Sequence, residues 1–194
     1  VKEGHIRTVG ATGGEPDGAA IIDASGCWVV PGFIDLQVNG GKTKFFTNDV
    51  SVNALEEIHR DHLAHGTTAM LPTIVSTSFE NMLQSIEVVR QYQRSGKPGI
   101  LGLHVEGPYI NIAKKGAHNP RFIQQPSEHE LVKLLAQGEG VIKMITIAPE
   151  LFTVKQIAMF REAGIVVSAG HSAISDEAAR VFFNAGVDCV THLY

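Results

Sequence analysis

Apolar runs alternate with amphipathic segments along most of the chain. From Pro31 onward, six mostly apolar runs predict β-strands, at 32–39, 67–75, 99–106, 141–148, 165–171 and 187–193. Between them lie segments with helical periodicity, at 51–66, 78–96, 127–138, 152–164 and 175–186. Strands that alternate with helices predict βαβ units and a parallel sheet whose faces are covered by helices.

The first thirty residues have a different pattern. Residues 5–10 and 19–30 are β-rich, and a Gly/Pro/Asp turn at 13–18 separates them. We therefore expect two parts: a segment of short β pieces at 1–30 and an α/β domain at 31–194.

Two architectures fit six strand–helix units, an open doubly wound sheet and part of a closed barrel. An open dinucleotide-binding sheet carries G-x-G-x-x-G after its first strand, but the turn here is Asn39-Gly40-Gly41-Lys42-Thr43. That turn is no phosphate-binding loop either, because the first glycine of the motif would fall at Leu36. The pattern favours a TIM-like (β/α) barrel that is incomplete, with about six of the eight strands.

Composition and charge narrow the range of partners. The net charge is −4 and the pI about 6.1, which predicts no surface for nucleic acid or an anionic membrane. The sequence contains no run of about 18 apolar residues, so no membrane span is predicted. The two cysteines, Cys27 and Cys189, are expected to be buried free thiols of a cytoplasmic protein.

Polar residues at the predicted strand ends are the candidates for chemistry, because catalytic groups of α/β barrels lie there. They are Gln37, Asn39, His104, Glu106, His171 and His192. Two histidines and a glutamate, with one position left for water, are a common catalytic zinc arrangement. From the residues alone, a metal site at Glu106, His171 and His192 and a set of separate structural side chains both remain open.

Longer motifs surround these positions. They are PGFIDLQVNGG at 31–41, HVEGPYIN at 104–111, KKGAHNP at 114–120, SAGHS at 168–172 and THLY at 191–194. Together they resemble the N-acetylglucosamine-6-phosphate deacetylases, metal-dependent hydrolases of the amidohydrolase superfamily. The resemblance extends over effectively the whole chain. It implies that residues 1–30 are a remnant of an accessory β domain, a β-sandwich, beside the barrel at 31–194.

The resemblance implies a deacetylase of amino-sugar catabolism, which removes acetate from N-acetyl-D-glucosamine 6-phosphate to give D-glucosamine 6-phosphate. It implies one divalent metal ion, zinc or else iron, manganese or cobalt, bound by Glu106, His171 and His192. It also places His118 and the backbone of Ala117 against the phosphorylated amino sugar.

A departure from many amidohydrolases supports a single metal. Gln37-x-Asn39 stands where those proteins have His-x-His, and neutral amides bind transition metals poorly. We expect Gln37, Asn39 and His104 to support the ligands rather than to bind the metal. The resemblance further implies a cytoplasmic homodimer for the complete enzyme and a general base located beyond Tyr194, so we expect little activity from these 194 residues alone.

Two rival functions remain. One is another amidohydrolase, of the dihydroorotase or dihydropyrimidinase type, which uses His-x-His and a carboxylated lysine on strand 4. The lysine of that strand here, Lys143, lies near the strand's start, which is the wrong end for a ligand. The other rival is a catalytically inactive, truncated half-barrel.

Overall fold

A computed structural model describes residues 1–10, 18 and 20–193. The chain divides into two compact units, Val1–Pro31 and Gly32–Tyr194. Among its described residues the first unit has one isolated bridge, between Lys2 and His5, and no helix or strand. The predicted turn at 13–18 lies outside the described residues, apart from Gly18.

The prediction of β structure at 5–10 and 20–30 is therefore wrong for this unit. A strand needs a neighbour to satisfy its backbone groups, and the described residues of the unit provide none. Ile22 and Trp28 are 89% and 93% exposed, so they do not form a core. Cys27 is a free thiol as expected but is exposed, whereas Cys189 is half-buried. The assignment of 1–30 to an accessory β domain stays a prediction.

The second unit has the predicted alternation of strands and helices. Its strands are β1 (Phe33–Val38), β2 (Thr67–Val75), β3 (Leu103–Glu106), β4 (Ile142–Ile147), β5 (Val166–Ala169) and β6 (Cys189–Val190). Its α-helices are α1 (Val52–Leu63), α2 (Phe79–Arg94), α3 (Glu128–Gly138), α4 (Val154–Glu162) and α5 (Asp176–Ala185). Two short 3-10 helices, Ile112–Lys114 and Pro149–Leu151, follow β3 and β4. None of the helices in the described residues is both long and apolar enough to cross a membrane.

All six strands are parallel and pair in sequence order, from β1 to β6. An open doubly wound sheet reverses its strand order at a switch point, and this sheet does not. The sheet is curled as an incomplete TIM-like barrel, which confirms the predicted fold class. The carboxyl ends of all strands consequently lie at one rim.

The two faces of the sheet have different chemistry because side chains alternate along a strand. Leu103 and Val105 of β3 belong to the apolar core that the helices cover. His104 lies on the opposite, inner face and is fully buried, as are Thr146 of β4 and Ser168 of β5. The barrel interior below the rim is therefore polar, which a purely structural core would not require.

Each of the five α-helices begins at a hydroxyl side chain that accepts a hydrogen bond from a backbone N–H in the first turn. These N-caps are Ser51, Ser78, Ser127, Thr153 and Ser175. Each N-cap marks the point where the loop that follows a strand ends and the next α-helix begins.

Candidate metal centre

Three strand ends bring Glu106, His171 and His192 together at the rim. Glu106 is the last residue of β3, and its side chain is 2% exposed. His171 and His192 lie two residues beyond β5 and β6. The Nε2 atom of each histidine is 3.1 Å from the same oxygen, Oε1 of Glu106.

The distance from Glu106 Oε1 to each imidazole suits a shared divalent ion, but His192 lies outside the group of ligand atoms within 4.8 Å of one another, which Glu106, His118 and His171 form. Two ligands about 2.0–2.1 Å from an ion, separated by a tetrahedral angle, are about 3.3 Å apart. The observed 3.1 Å separations of Glu106 Oε1 from both imidazoles are close to that value. Carboxylate and imidazole donors also match the chemistry of divalent transition metals.

Both histidines have backbone torsions that non-glycine residues rarely adopt. Their φ angles are 51° for His171 and 59° for His192. For His171 the ring is also fixed, because Nδ1 lies 2.9 Å from the carbonyl oxygen of Lys114. A carbonyl only accepts, so Nδ1 carries a hydrogen and the neutral ring presents the lone pair of Nε2 to the site.

His118 has the opposite tautomer. One ring nitrogen of His118, one ligand atom of Glu106 and one of His171 all lie within 4.8 Å of one another. The backbone N–H of Ser76 donates to Nδ1 of His118 over 3.3 Å, and Oγ of Ser76 is 2.7 Å from the same nitrogen. Because that N–H only donates, Nε2 of neutral His118 carries the hydrogen. This tautomer suits a hydrogen-bond donor better than a metal ligand.

Electrostatics separate the roles of these groups further. Burial lowers the pKa of His118 to about 4, so this ring is neutral near neutral pH. Burial also acts to raise the pKa of Glu106, but the hydrogen bond from His171 and the neighbouring histidines lower it below its ordinary value. The hydrogen bond to Glu106 raises the pKa of His171. The contact between Glu106 and His171 thus favours the charged form of each group.

The three residues expected to support the ligands differ in their contacts. Gln37 donates from Nε2 to Oε2 of Glu106 over 2.9 Å, which leaves Oε1 for the histidines. Asn39 lines the same cavity, and its buried Oδ1 has no hydrogen-bond partner among the described residues.

His104 is anchored below the site instead. Its Nδ1 donates to the carbonyl of Leu36 over 2.8 Å, and its Nε2 accepts from the hydroxyl of Thr146 over 2.8 Å. Burial lowers the pKa of His104, consistent with a neutral ring in this chain of hydrogen bonds.

Two glycines of the motifs are required by close approaches. Gly107 follows Glu106 with φ 72°, and a Cβ there would collide with Oγ of Ser76. Gly170 precedes His171, and a Cβ there would lie 2.6 Å from Cγ2 of Thr146. Both positions need glycine for the adjacent Glu106 and His171 to reach the rim.

A cavity of about 820 Å³ opens above the three side chains. Ala117 and His118 line it, together with Asn39, Thr47, Ser76 and Thr77. Among the described lining residues Glu106 is the one carboxylate, and no lysine or arginine is present. The cavity therefore joins a candidate metal centre to a largely uncharged wall of hydrogen-bonding groups.

The amidohydrolase family model matches residues 28–194, which is most of the chain. The chain belongs to the amidohydrolase family. This assignment accounts for the polar rim of the barrel, since amidohydrolases are metal-dependent and the group of Glu106, His118 and His171 provides ligand atoms at that rim.

This amidohydrolase is similar to several deacetylases of amino-sugar phosphates. The N-acetylglucosamine-6-phosphate deacetylase of Haemophilus influenzae is 38% identical over 177 residues, which are 91% of this chain and 46% of that protein. The N-acetylgalactosamine-6-phosphate deacetylase of a Shewanella species is 38% identical over 166 residues, 86% of this chain and 42% of that protein. The crystal structure of the Pasteurella multocida N-acetylglucosamine-6-phosphate deacetylase has a TM-score of 0.87 at 38% identity and covers 92% of this chain and 47% of its own. The chain thus spans about half the length of these relatives.

Three groups that contact the histidines or the loops beside them were not selected from the sequence: Ser76, Lys114 and Glu150, whose carboxylate accepts hydrogen bonds from Ser172 and Ala173 beside His171. Ser76 directly follows β2, and Glu150 lies shortly after β4. The rule that selected polar residues after strands would have found both. Lys114 acts through its carbonyl oxygen, so its residue type gives no signal.

Proposed function

We propose that this chain binds one divalent metal ion and takes part in removing acetate from N-acetyl-D-glucosamine 6-phosphate. The observation that carries the proposal is the approach of both histidine Nε2 atoms to one oxygen of Glu106, at 3.1 Å each. The names of the relatives support the substrate class.

The proposed ligands are Glu106, His171 and His192, and the proposed ion is zinc. The tautomers support this set, because in its neutral form His171 presents the lone pair of Nε2 to the site, whereas neutral His118 presents a hydrogen. Iron, manganese and cobalt accept the same donors and remain alternatives. When bound, the ion supplies a Lewis acid for an amide carbonyl and lowers the pKa of a water molecule.

We assign His118 and the backbone of Ala117 to substrate binding. A neutral imidazole that donates from Nε2 suits a carbonyl oxygen on which negative charge develops. It suits a phosphate dianion less well, because the ring carries no charge at neutral pH and no lysine or arginine lines the cavity in the described residues. His118 is therefore proposed to bind the acetamide group of the sugar.

The reaction is amide hydrolysis. The oxygen of water bonds to the acetyl carbon, the C–N bond breaks, and a proton from the water passes to the leaving amine, so that acetate and the amino sugar result. An aspartate general base, the homodimer and the cytoplasmic location stay expectations from the resemblance.

The 4-epimeric substrate, N-acetyl-D-galactosamine 6-phosphate, is the second candidate. A relative that bears its name is as similar to this chain, at 38% identity, as the one named for the glucosamine substrate. The dihydroorotase-type rival has less support, because Gln37 and Asn39 replace the His-x-His on which that type depends.

The experiment measures acetate release from both sugar phosphates by the purified full-length protein, after zinc is added to metal-free material. We expect zinc-dependent release from N-acetylglucosamine 6-phosphate, lost in Glu106→Gln and kept in Glu162→Gln, which changes an exposed carboxylate at the end of α4. Faster turnover of the galactosamine epimer would reassign the sugar. Zinc binding without acetate release from either sugar would refute the deacetylase and leave the inactive half-barrel.

A further inference from the structure

Glu150 lies in the 3-10 helix Pro149–Leu151 after β4, and its carboxylate receives three hydrogen bonds from other loops. Asn111 Nδ2 donates to Oε1 over 3.0 Å, and the backbone N–H of Ala173 donates to the same oxygen over 2.8 Å. The hydroxyl of Ser172 donates to Oε2 over 2.5 Å. One side chain after β4 thus joins the loop after β3 to the loop after β5.

Both joined loops contact His171. Ser172 and Ala173 follow it directly in the chain. On the other side, the backbone N–H of Asn111 donates to the carbonyl oxygen of His171 over 3.0 Å. Glu150 therefore holds the residues on both flanks of this histidine without lining the cavity itself.

Asn111 also connects Glu150 to the ring of His171. Oδ1 of Asn111 accepts from the N–H of Ala113 over 2.9 Å and so caps the 3-10 helix Ile112–Lys114. The last residue of that helix, Lys114, provides the carbonyl that accepts from Nδ1 of His171. The chain of contacts runs from the carboxylate through the amide to the imidazole plane.

The conformation of His171 needs such support. A φ of 51° is unfavourable for a residue with a side chain and persists only where the surroundings impose it. Burial acts to raise the pKa of Glu150, but the hydrogen bonds from Ser172, Ala173 and Asn111 outweigh it and lower the pKa below its ordinary value. The group is thus ionised at neutral pH and accepts strong hydrogen bonds.

We propose that Glu150 is a positioning residue for the metal centre, which fixes the backbone and the ring of His171 through Asn111, Ser172 and Ala173. The inference rests on the proposed role of His171 as a ligand. It adds a function for Glu150, which does not touch the site. Loss of the carboxylate leaves the folded barrel in place but releases the histidine.

The test compares Glu150→Ala and Glu150→Gln with the control Glu162→Ala in the full-length protein. Zinc affinity is measured by competition with a chromophoric chelator, and amide hydrogen exchange of Asn111 is measured by NMR in metal-free protein. We expect Glu150→Ala to weaken zinc binding about 10–100-fold, the usual effect of groups that orient a metal ligand. Glu150→Gln keeps an acceptor oxygen and should recover most of the affinity. The Asn111 amide should exchange faster in Glu150→Ala alone.

The outcomes separate positioning from stability. A lower unfolding temperature with unchanged zinc affinity in Glu150→Ala would overturn the proposal, because a merely structural role predicts that result. If the unchanged protein binds no zinc, the proposed function fails, but the Asn111 amide still decides: faster exchange supports the positioning of His171, and equal exchange refutes it. Should Glu150→Ala not fold, Ser172→Ala removes one of the three hydrogen bonds. A smaller loss of zinc affinity is then expected, and no loss refutes the proposal.

Discussion

The two histidines that face Glu106 are held in different ways. The side chain of His171 is 11% exposed, its Nδ1 donates to the carbonyl of Lys114, and its own carbonyl accepts from Asn111. The side chain of His192 is 55% exposed, and in the described part of the chain its Nδ1 has no hydrogen-bond partner. One imidazole is therefore oriented by protein contacts on its far side, and the other is not.

The contacts near His192 lie below it, in the barrel interior. Thr146 donates its hydroxyl hydrogen to His104. Thr191 therefore donates to Oγ1 of Thr146 over 2.9 Å. The hydroxyl of Thr191 in turn accepts from Ser168 over 2.7 Å. The hydroxyls of Thr146 and Thr191 then each have a donor and an acceptor role, and Ser168 donates. These hydrogen bonds anchor the residue before His192.

The described contacts thus hold His171 at both its ring and its backbone, and they hold His192 at the side chain of the residue before it. Preorganised ligands bind with less loss of conformational freedom. Changes to the shared carboxylate should therefore affect both histidines, whereas changes to the supports should affect only one.

The largest effect is expected from Glu106→Gln. The amide is a poor ligand and cannot form the ion pair with His171, so zinc affinity should fall by more than the roughly 10–100-fold that follows loss of a supporting group. Chelator competition measures the affinity, and NMR titration measures the pKa of His171. That pKa should fall back from its raised value. Unchanged zinc binding in this variant would show that Glu106 is not a ligand.

Thr191→Val should act on the β6 side alone. The valine leaves buried hydroxyls of Thr146 and Ser168 short of a partner, which typically costs about 1–3 kcal/mol in the free energy of unfolding. Urea denaturation of the metal-free protein measures that loss, with the exposed Thr68→Val as the matched control. The His171 ring signals should not shift. If the ring signals of His171 shift as much as those of His192, the two histidines are not held independently.

The sequence predicted the parts of the site that lie on strand ends. Parallel strands in sequence order bring their carboxyl ends to one rim, so Glu106, His171 and His192 could be expected to meet once the barrel was recognised. The strands themselves were clear because apolar runs covered on both sides leave a strong signal. The first unit gave a false β signal, since Ile22 and Trp28 have the right residue types but no partner strand among its described residues.

The differences between the histidines could not be predicted in the same way. The tautomer of His118 depends on the backbone N–H of Ser76, and that of His171 on a carbonyl at Lys114. Every residue has these main-chain groups, so their presence at a ring nitrogen depends on loop geometry rather than on residue type.

The pH dependence should reveal the protonated His171. In the metal-free protein its raised pKa means that the contact with Glu106 stabilises the fold fully below the ordinary value of 6.5 and is lost as the pH rises through the raised value. Zinc binding has the opposite trend, because the ion must displace this proton, and its affinity should rise with pH by up to about tenfold per unit for one released proton. Calorimetry in buffers of different ionisation enthalpy counts that proton. If zinc affinity depends on pH in the same way in Glu106→Gln, His171 is not the group that releases the proton.

The smallest effect is expected from Ser76→Ala, which tests whether support behind the ring also matters for a histidine that is not a ligand. The variant removes the hydroxyl 2.7 Å from Nδ1 of His118 but keeps the backbone N–H at 3.3 Å, so the tautomer should persist. Loss of one neutral hydrogen bond corresponds to about 1 kcal/mol, or a roughly fivefold decrease in kcat, with zinc affinity unchanged. Steady-state kinetics on N-acetylglucosamine 6-phosphate measures the rate, and the 15N shifts of the His118 ring report the tautomer. If the hydrogen moved to Nδ1, kcat should fall much further, because Nε2 could no longer donate to the substrate. A weaker zinc affinity, with no hydrogen on Nε2 of His118 when zinc is bound, would instead place His118 among the ligands and give the centre three histidines.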